Sequence, residues 1–141
     1  MKLRMIPVFA MLILSLWLTA CAPSAGTSVN VTCDDFNTQP SASKQVAVAT
    51  GNTFTVTLCS NATTGFKWSE AAQISDQTVV QQTGHEFIAP QGTGMVGAPG
   101  SEVWTFKALK KGTSTINMEY SRPWEGGEKG TWAFNLTVTV N

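Results

Sequence analysis

Few residues in this chain could do covalent chemistry, and their spacing argues against a catalytic site. His85 is the only histidine, with Glu86 beside it, and the three cysteines are Cys21, Cys33 and Cys59. One histidine could serve as a general base, but nothing in the sequence marks a nucleophile next to it. No Cys-x-x-Cys or His-Glu-x-x-His spacing occurs, so neither a metal site nor a cofactor is expected. Recognition chemistry is better represented. Asn61-Ala62-Thr63-Thr64-Gly65 combines turn-forming ends with two short hydroxyls that donate and accept hydrogen bonds. Gly92-Thr93-Gly94-Met95-Val96-Gly97-Ala98-Pro99-Gly100 is a small-residue stretch. Its glycines let backbone approach another surface, with Met95 and Val96 as apolar contacts. It lacks Lys-Ser/Thr after the glycines and opens no helix, which argues against phosphate binding. Arg122-Pro123-Trp124 joins a restricted backbone to two residue types enriched at interface hot spots. Trp124 could be a core residue, but it lies beyond an alternating strand and before the polar Glu125–Gly130 stretch. Exposure is the stronger expectation.

Strand patterns supply the scaffold for these segments. Thr53–Cys59 alternates strictly, with Phe54, Val56 and Leu58 on one face and threonines on the other. Trp132, Phe134, Leu136, Val138 and Val140 repeat the pattern, as do Ile116, Met118 and Tyr120. Val103–Leu109 reads as another strand, Gln45–Ala49 and Phe66–Ser69 as shorter ones, and Thr78–Ile88 as one or two more. One-face alternation predicts an all-β fold, an Ig-like antiparallel β-sandwich, or a jelly-roll-like one. If the strands run alternately up and down, the tight turns at Thr50–Asn52 and Lys110–Gly112 share one pole. Ser60–Gly65, Ala89–Gly100 and Ser121–Gly130 then share the other. Three elaborate loops on one end of a rigid sandwich is the arrangement of a binding module.

The N-terminus points outside the cytoplasm. Lys2 and Arg4 precede an apolar run from Ile6 to Leu18, which is short for a bilayer span and ends in small residues. Leu18-Thr19-Ala20-Cys21 resembles the lipobox of bacterial lipoproteins. That resemblance implies cleavage before Cys21, a diacylglycerol on its thiol and an acylated new N-terminus; several chains anchor durably where one does not. An ordinary signal peptide with a chance cysteine is the competing reading. Ala22 is not the Asp associated with inner-membrane retention, so an outer-membrane anchor is favoured, facing periplasm or exterior. Ala22–Ser28 reads as a flexible tether. The expected division is therefore residues 1–20 signal peptide, 21–30 lipidated cysteine and tether, and 31–141 folded domain. Assigning Cys21 to lipid leaves Cys33 and Cys59, which are expected to pair in an oxidising compartment, two free buried thiols being the alternative. The whole chain is formally neutral, and dropping Lys2 and Arg4 leaves it mildly acidic, without a basic stripe for nucleic acid. One core's worth of residues suggests a single domain, and a monomer is expected.

Taken jointly, Asn-x-Thr-Thr-Gly at 61–65, Gly-Ala-x-Gly at 97–100 followed by Ser101-Glu102, and Tyr-x-Arg-Pro-Trp at 120–124 resemble the chagasin family. The resemblance runs from about Gln45 to Asn141, and Trp68 also fits. It implies an Ig-like inhibitor of papain-like cysteine proteases that fills the active-site cleft with three loops. Gly97, Ala98 and Gly100 would lie over the catalytic thiol. Asn61, Thr63, Thr64 and Gly65 would flank it on one side, and Arg122, Pro123 and Trp124 on the other, with Met95 and Val96 as further contacts. Two departures stand out. Ala62 replaces the family's usual proline, which should leave the free loop more mobile. Pro99 replaces a glycine and cannot donate a backbone hydrogen bond. A lipid-anchored sandwich holding a glycan or an envelope protein with the same loops is the second reading. Occurrence of all three motifs together on one pole favours the inhibitor.

Overall fold

The computed structural model describes residues 26–92 and 97–141. Residues 1–25, which include the expected signal peptide and Cys21, and the loop positions Thr93, Gly94, Met95 and Val96 lie outside the described residues. Nine strands form two sheets: β1 (Thr27–Val31), β2 (Ser41–Val48), β3 (Thr53–Ser60), β4 (Lys67–Trp68), β5 (Gln73–Ile74), β6 (Val80–Ile88), β7 (Gly100–Ala108), β8 (Gly112–Ser121) and β9 (Trp132–Val140). One sheet has the order β1-β3-β7-β6; the other is β2-β9-β8-β4, with β5 also on β8. The alternating residues identified in the sequence face inward. Val56, Leu58, Trp104 and Phe106 from the first sheet meet Ile116, Met118, Phe134, Leu136 and Val138 from the second, all buried. The all-β sandwich is present as expected.

Three details differ from the sequence expectation. Thr27–Asn30, placed in the tether, belongs to β1, which pairs in parallel with β3 from Thr27↔Phe54 to Val31↔Leu58. Its inward residues Thr27, Val29 and Val31 do alternate, but five residues of polar composition are too short a pattern to stand out. A single-turn-and-a-half helix, α1 (Cys33–Thr38), follows; the Thr32 side chain accepts from the Asp35 amide and the Asp35 carboxylate accepts from Thr32 in return. That arm crosses between sheets, so β2 also pairs in parallel, with β9, and the sandwich is not wholly antiparallel. Finally, β4 is only two residues and β5 follows it; both run antiparallel to β8 and act as one interrupted strand. The alternation of direction is therefore unchanged, and the three long loops do share one pole.

The expected Cys33–Cys59 disulfide is formed, with Cα atoms 5.1 Å apart. It ties the start of α1 to the end of β3, directly beneath the first long loop. Phe36, buried on the inner face of α1, closes the core at that pole by stacking on Trp132 at 5.0 Å and packing against Trp68 at 5.3 Å.

Candidate functional site

The first loop is held by its own polar groups. Ala62–Thr64 form one 3₁₀ turn capped by Asn61. Asn61 Oδ1 accepts from the Thr63 amide (3.2 Å) and from Thr63 Oγ1 (2.7 Å), while Thr64 Oγ1 donates to the Asn61 carbonyl (2.7 Å). Tyr120 Oη, from β8, accepts from the Asn61 amide at 2.9 Å and donates to its carbonyl at 3.3 Å. These bonds engage the residues on either side of Ala62. Asn61 Nδ2 also donates to the Gly97 carbonyl at 3.0 Å, joining the first loop to the second.

The third loop leans onto the first. Trp124 is 52% exposed, as expected of a loop anchor. Its ring lies against Gly65, where a Cβ would stand 2.8 Å from Cη2. Gly65 also has φ +78°, a left-handed conformation that closes the 3₁₀ turn. Gly65→Ala is expected to lower stability by about 1–2 kcal/mol from backbone strain and to push the Trp124 ring off the first loop. Thermal unfolding in wild-type and Trp124→Ala backgrounds separates the effects, because the ring clash vanishes in the latter and the backbone cost remains.

Arg122 braces the loop internally rather than standing free. Its guanidinium sits 4.4 Å over the Phe66 ring and 5.8 Å from Trp124, and its Nε is buried without a hydrogen-bond partner. Lys129 folds across the hairpin and donates to the carbonyls of Arg122 and Trp124. An aromatic series thus runs from the core to the tip: Phe36, Trp132, Tyr120 (4.7 Å from Trp132), Phe66 (5.4 Å from Tyr120), then Arg122 and Trp124. A groove of about 440 Å³ beside it is lined by Asn37 of α1 together with Asn61, Thr64, Pro99, Arg122 and Trp132.

The second loop is framed by close backbone contact. A Cβ on Gly100 would collide with the Ile88 carbonyl and lie 2.9 Å from the Phe87 ring, so only glycine fits where β6 and β7 enter this loop. Phe87 and Ile88 are themselves exposed beside it, apolar surface that the sequence reading did not assign to the site. Gly97 and Pro99 stand at the pole with Asn61.

Glu102 lies beneath the loops and is buried. Its Oε1 accepts from Ser60 Oγ at 2.7 Å and from the Trp68 amide at 3.4 Å, and its Oε2 is 2.8 Å from His85 Nε2. His85 stacks on Trp104 at 4.8 Å and lies in β6; its acidic partner is Glu102 rather than the adjacent Glu86. The register shift in β6 between Gln82 and Gly84 breaks the alternation of the strand expected within Thr78–Ile88, so periodicity alone did not assign His85 a face. Histidine and carboxylate therefore fasten strands under the loops. Both were visible in the sequence; only their meeting was not.

A profile described as Chagasin family peptidase inhibitor I42 matches residues 47–138, more than half of the chain. The chain belongs to the chagasin family. Chagasin-family proteins are peptidase inhibitors rather than enzymes. Amoebiasin-2 of Entamoeba histolytica is 31% identical over 90 residues, covering 60% of this chain and 68% of its own length. Chagasin of Trypanosoma cruzi is 29% identical over 97 residues, covering 68% and 88%. Among solved structures, the cysteine protease inhibitor EhICP2 from Entamoeba histolytica superposes with a TM-score of 0.65 at 23% identity, over 85% of this chain and all of that one. PbICP-C, solved in complex with falcipain-2, gives 0.61 at 17% identity, over 82% and 100%. These two likenesses establish the chagasin-like sandwich fold.

Proposed function

We propose that this domain inhibits papain-like cysteine proteases by seating its loop pole in their active-site cleft, while lipid on Cys21 holds it at the cell envelope, the outer membrane being favoured. The observation that carries the inhibitory reading is the mutual bracing of the three motif segments at one pole: Asn61 to Gly97, and Gly65 beneath Trp124. A reversible inhibitor must occupy a cleft without offering an aligned scissile bond. Segment Gly97–Gly100 is short, backbone-rich and clamped at the entry to β7, which suits that task. Pro99 donates no backbone hydrogen bond, so contact by this segment relies on the carbonyls and the amides of its neighbours. Asn61, Thr63, Thr64 and Gly65 lie between the other two loops, with Gly97–Gly100 on one side and Arg122, Pro123 and Trp124 on the other, and Met95 and Val96 belong to the same loop as Gly97.

Pre-organisation limits the entropy lost on docking, and interfaces of this kind bury roughly 1,600 Å² in total. The exposed Phe87 and Ile88 would extend the apolar rim next to the second loop. Titration of papain with the mature domain carrying Cys21→Ser should give stoichiometric, reversible loss of activity at or below micromolar inhibitor. Full protease activity at that concentration would overturn the reading for this target class. The anchor is tested separately: Cys21→Ala should move the protein from the membrane fraction to the soluble fraction of expressing cells.

A further inference from the structure

The chain enters the fold at the end opposite the loops. Thr27 pairs with Phe54, which pairs in turn with Phe106, and Thr53 pairs with Lys107, so β1 begins beside the turns that join β2 to β3 and β7 to β8. The β7–β8 turn is Leu109-Lys110-Lys111. Leu109 is 38% exposed, and Lys107, Lys110 and Lys111 all face solvent. Asp76 lies next to this turn, its carboxylate engaged by the amide (2.9 Å) and hydroxyl (2.6 Å) of Thr78. Those bonds, and more weakly the charge of Lys110, hold its carboxyl below the ordinary value of 3.8. The loop pole has a different balance. Asp34 and Asp35 on α1, with Glu125 and Glu128 in the third loop, are exposed there against Lys67, Arg122 and Lys129.

We infer that the pole bearing Lys107, Leu109, Lys110 and Lys111 rests on anionic phospholipid headgroups and holds the inhibitory loops away from the membrane. The inference rests on the Cys21 anchor proposed above. Geometry favours this orientation first. Cys21 and Thr27 are six residues apart, a link of at most about 22 Å. From the level of Phe54 to Ser60, β3 rises about 20 Å, and the loops project beyond it. A loops-down pose would therefore need more than a fully stretched link. Chemistry favours it second. Each lysine near an anionic surface shifts contact by roughly fivefold, and an exposed leucine between them suits the headgroup boundary.

Among the described residues, the buried core and the disulfide lie within Thr27–Val140, so the domain can be handled without residues 1–20. In the chain starting at Cys21, that residue is the sole free thiol and can be coupled to maleimide-headgroup lipid in vesicles. This supplies the anchor whether or not cells lipidate Cys21, so failure of the lipoprotein reading and failure of this inference give different results. Amine-reactive footprinting read by mass spectrometry then compares vesicles of phosphatidylcholine alone with vesicles also containing phosphatidylglycerol. Lys107, Lys110 and Lys111 should label about fivefold more slowly, or slower still, on the anionic vesicles, with the protection lost at high salt. Lys67 and Lys129 should be unaffected. Equal labelling on both vesicle types, or protection of Lys67 and Lys129 instead, would overturn the inference.

Discussion

Trp124→Ala is expected to weaken inhibition of papain by about 2 kcal/mol or more, a rise in inhibition constant of roughly thirtyfold. The ring is the largest exposed apolar group at the loop pole, yet it is not loose. It lies on Gly65, near the Arg122 guanidinium, and its carbonyl is held by Lys129 and by the Gly127 amide at 3.1 Å. An aromatic anchor fixed in its binding orientation loses little freedom on docking, which is the condition under which truncation costs most. Because the side chain is half exposed in the free protein, its removal should barely change the melting temperature. The two measurements together are decisive. An unchanged inhibition constant would remove Trp124 from the contact surface, and a large fall in melting temperature would make it a structural residue.

Removing the disulfide should have the largest effect on stability. The double replacement Cys33→Ala with Cys59→Ala is expected to cost about 3 kcal/mol, since the closed loop spans a sequence separation of 26. For a domain of this size that corresponds to a drop in melting temperature of roughly 10 °C. The consequence is not confined to stability. Cys59 immediately precedes Ser60 and Asn61, whose side chains bond to Glu102 and Gly97, and Cys33 opens the helix whose Phe36 closes the core under the same loops. Inhibition should therefore weaken as well, and reduction of the wild-type protein should reproduce both changes. Thiol titration of the denatured, unreduced protein is the companion check, with no reactive thiol expected from Cys33 or Cys59.

The sandwich was legible because its signal is local. In β3, β8 and β9, inward and outward residues alternate within a single segment, so faces can be assigned without knowing any partner. The interrupted β4–β5 strand and the bulged β6 were harder, since pairing to β8 and β7 decides their register. Strand β1 was missed for the same reason. Its five residues form a strand only because β3 offers an unpaired edge.

By itself, the sequence determined the sheet faces, the pole that carries the three loops, the pairing of two cysteines, the absence of a recognisable catalytic arrangement, and the three motifs of the site. The faces and motifs follow from residue type and short-range spacing, the pole from an alternating strand direction, and the cysteine pair from setting Cys21 aside. Only the tertiary structure decided that His85 meets Glu102 and not Glu86, and that Arg122 lies over Phe66 instead of reaching outward. It also decided that Trp124 lies on Gly65 and that the chain enters opposite the loops. Those outcomes depend on contacts between residues far apart in the chain, and no local periodicity encodes which distant side chain fills a given space.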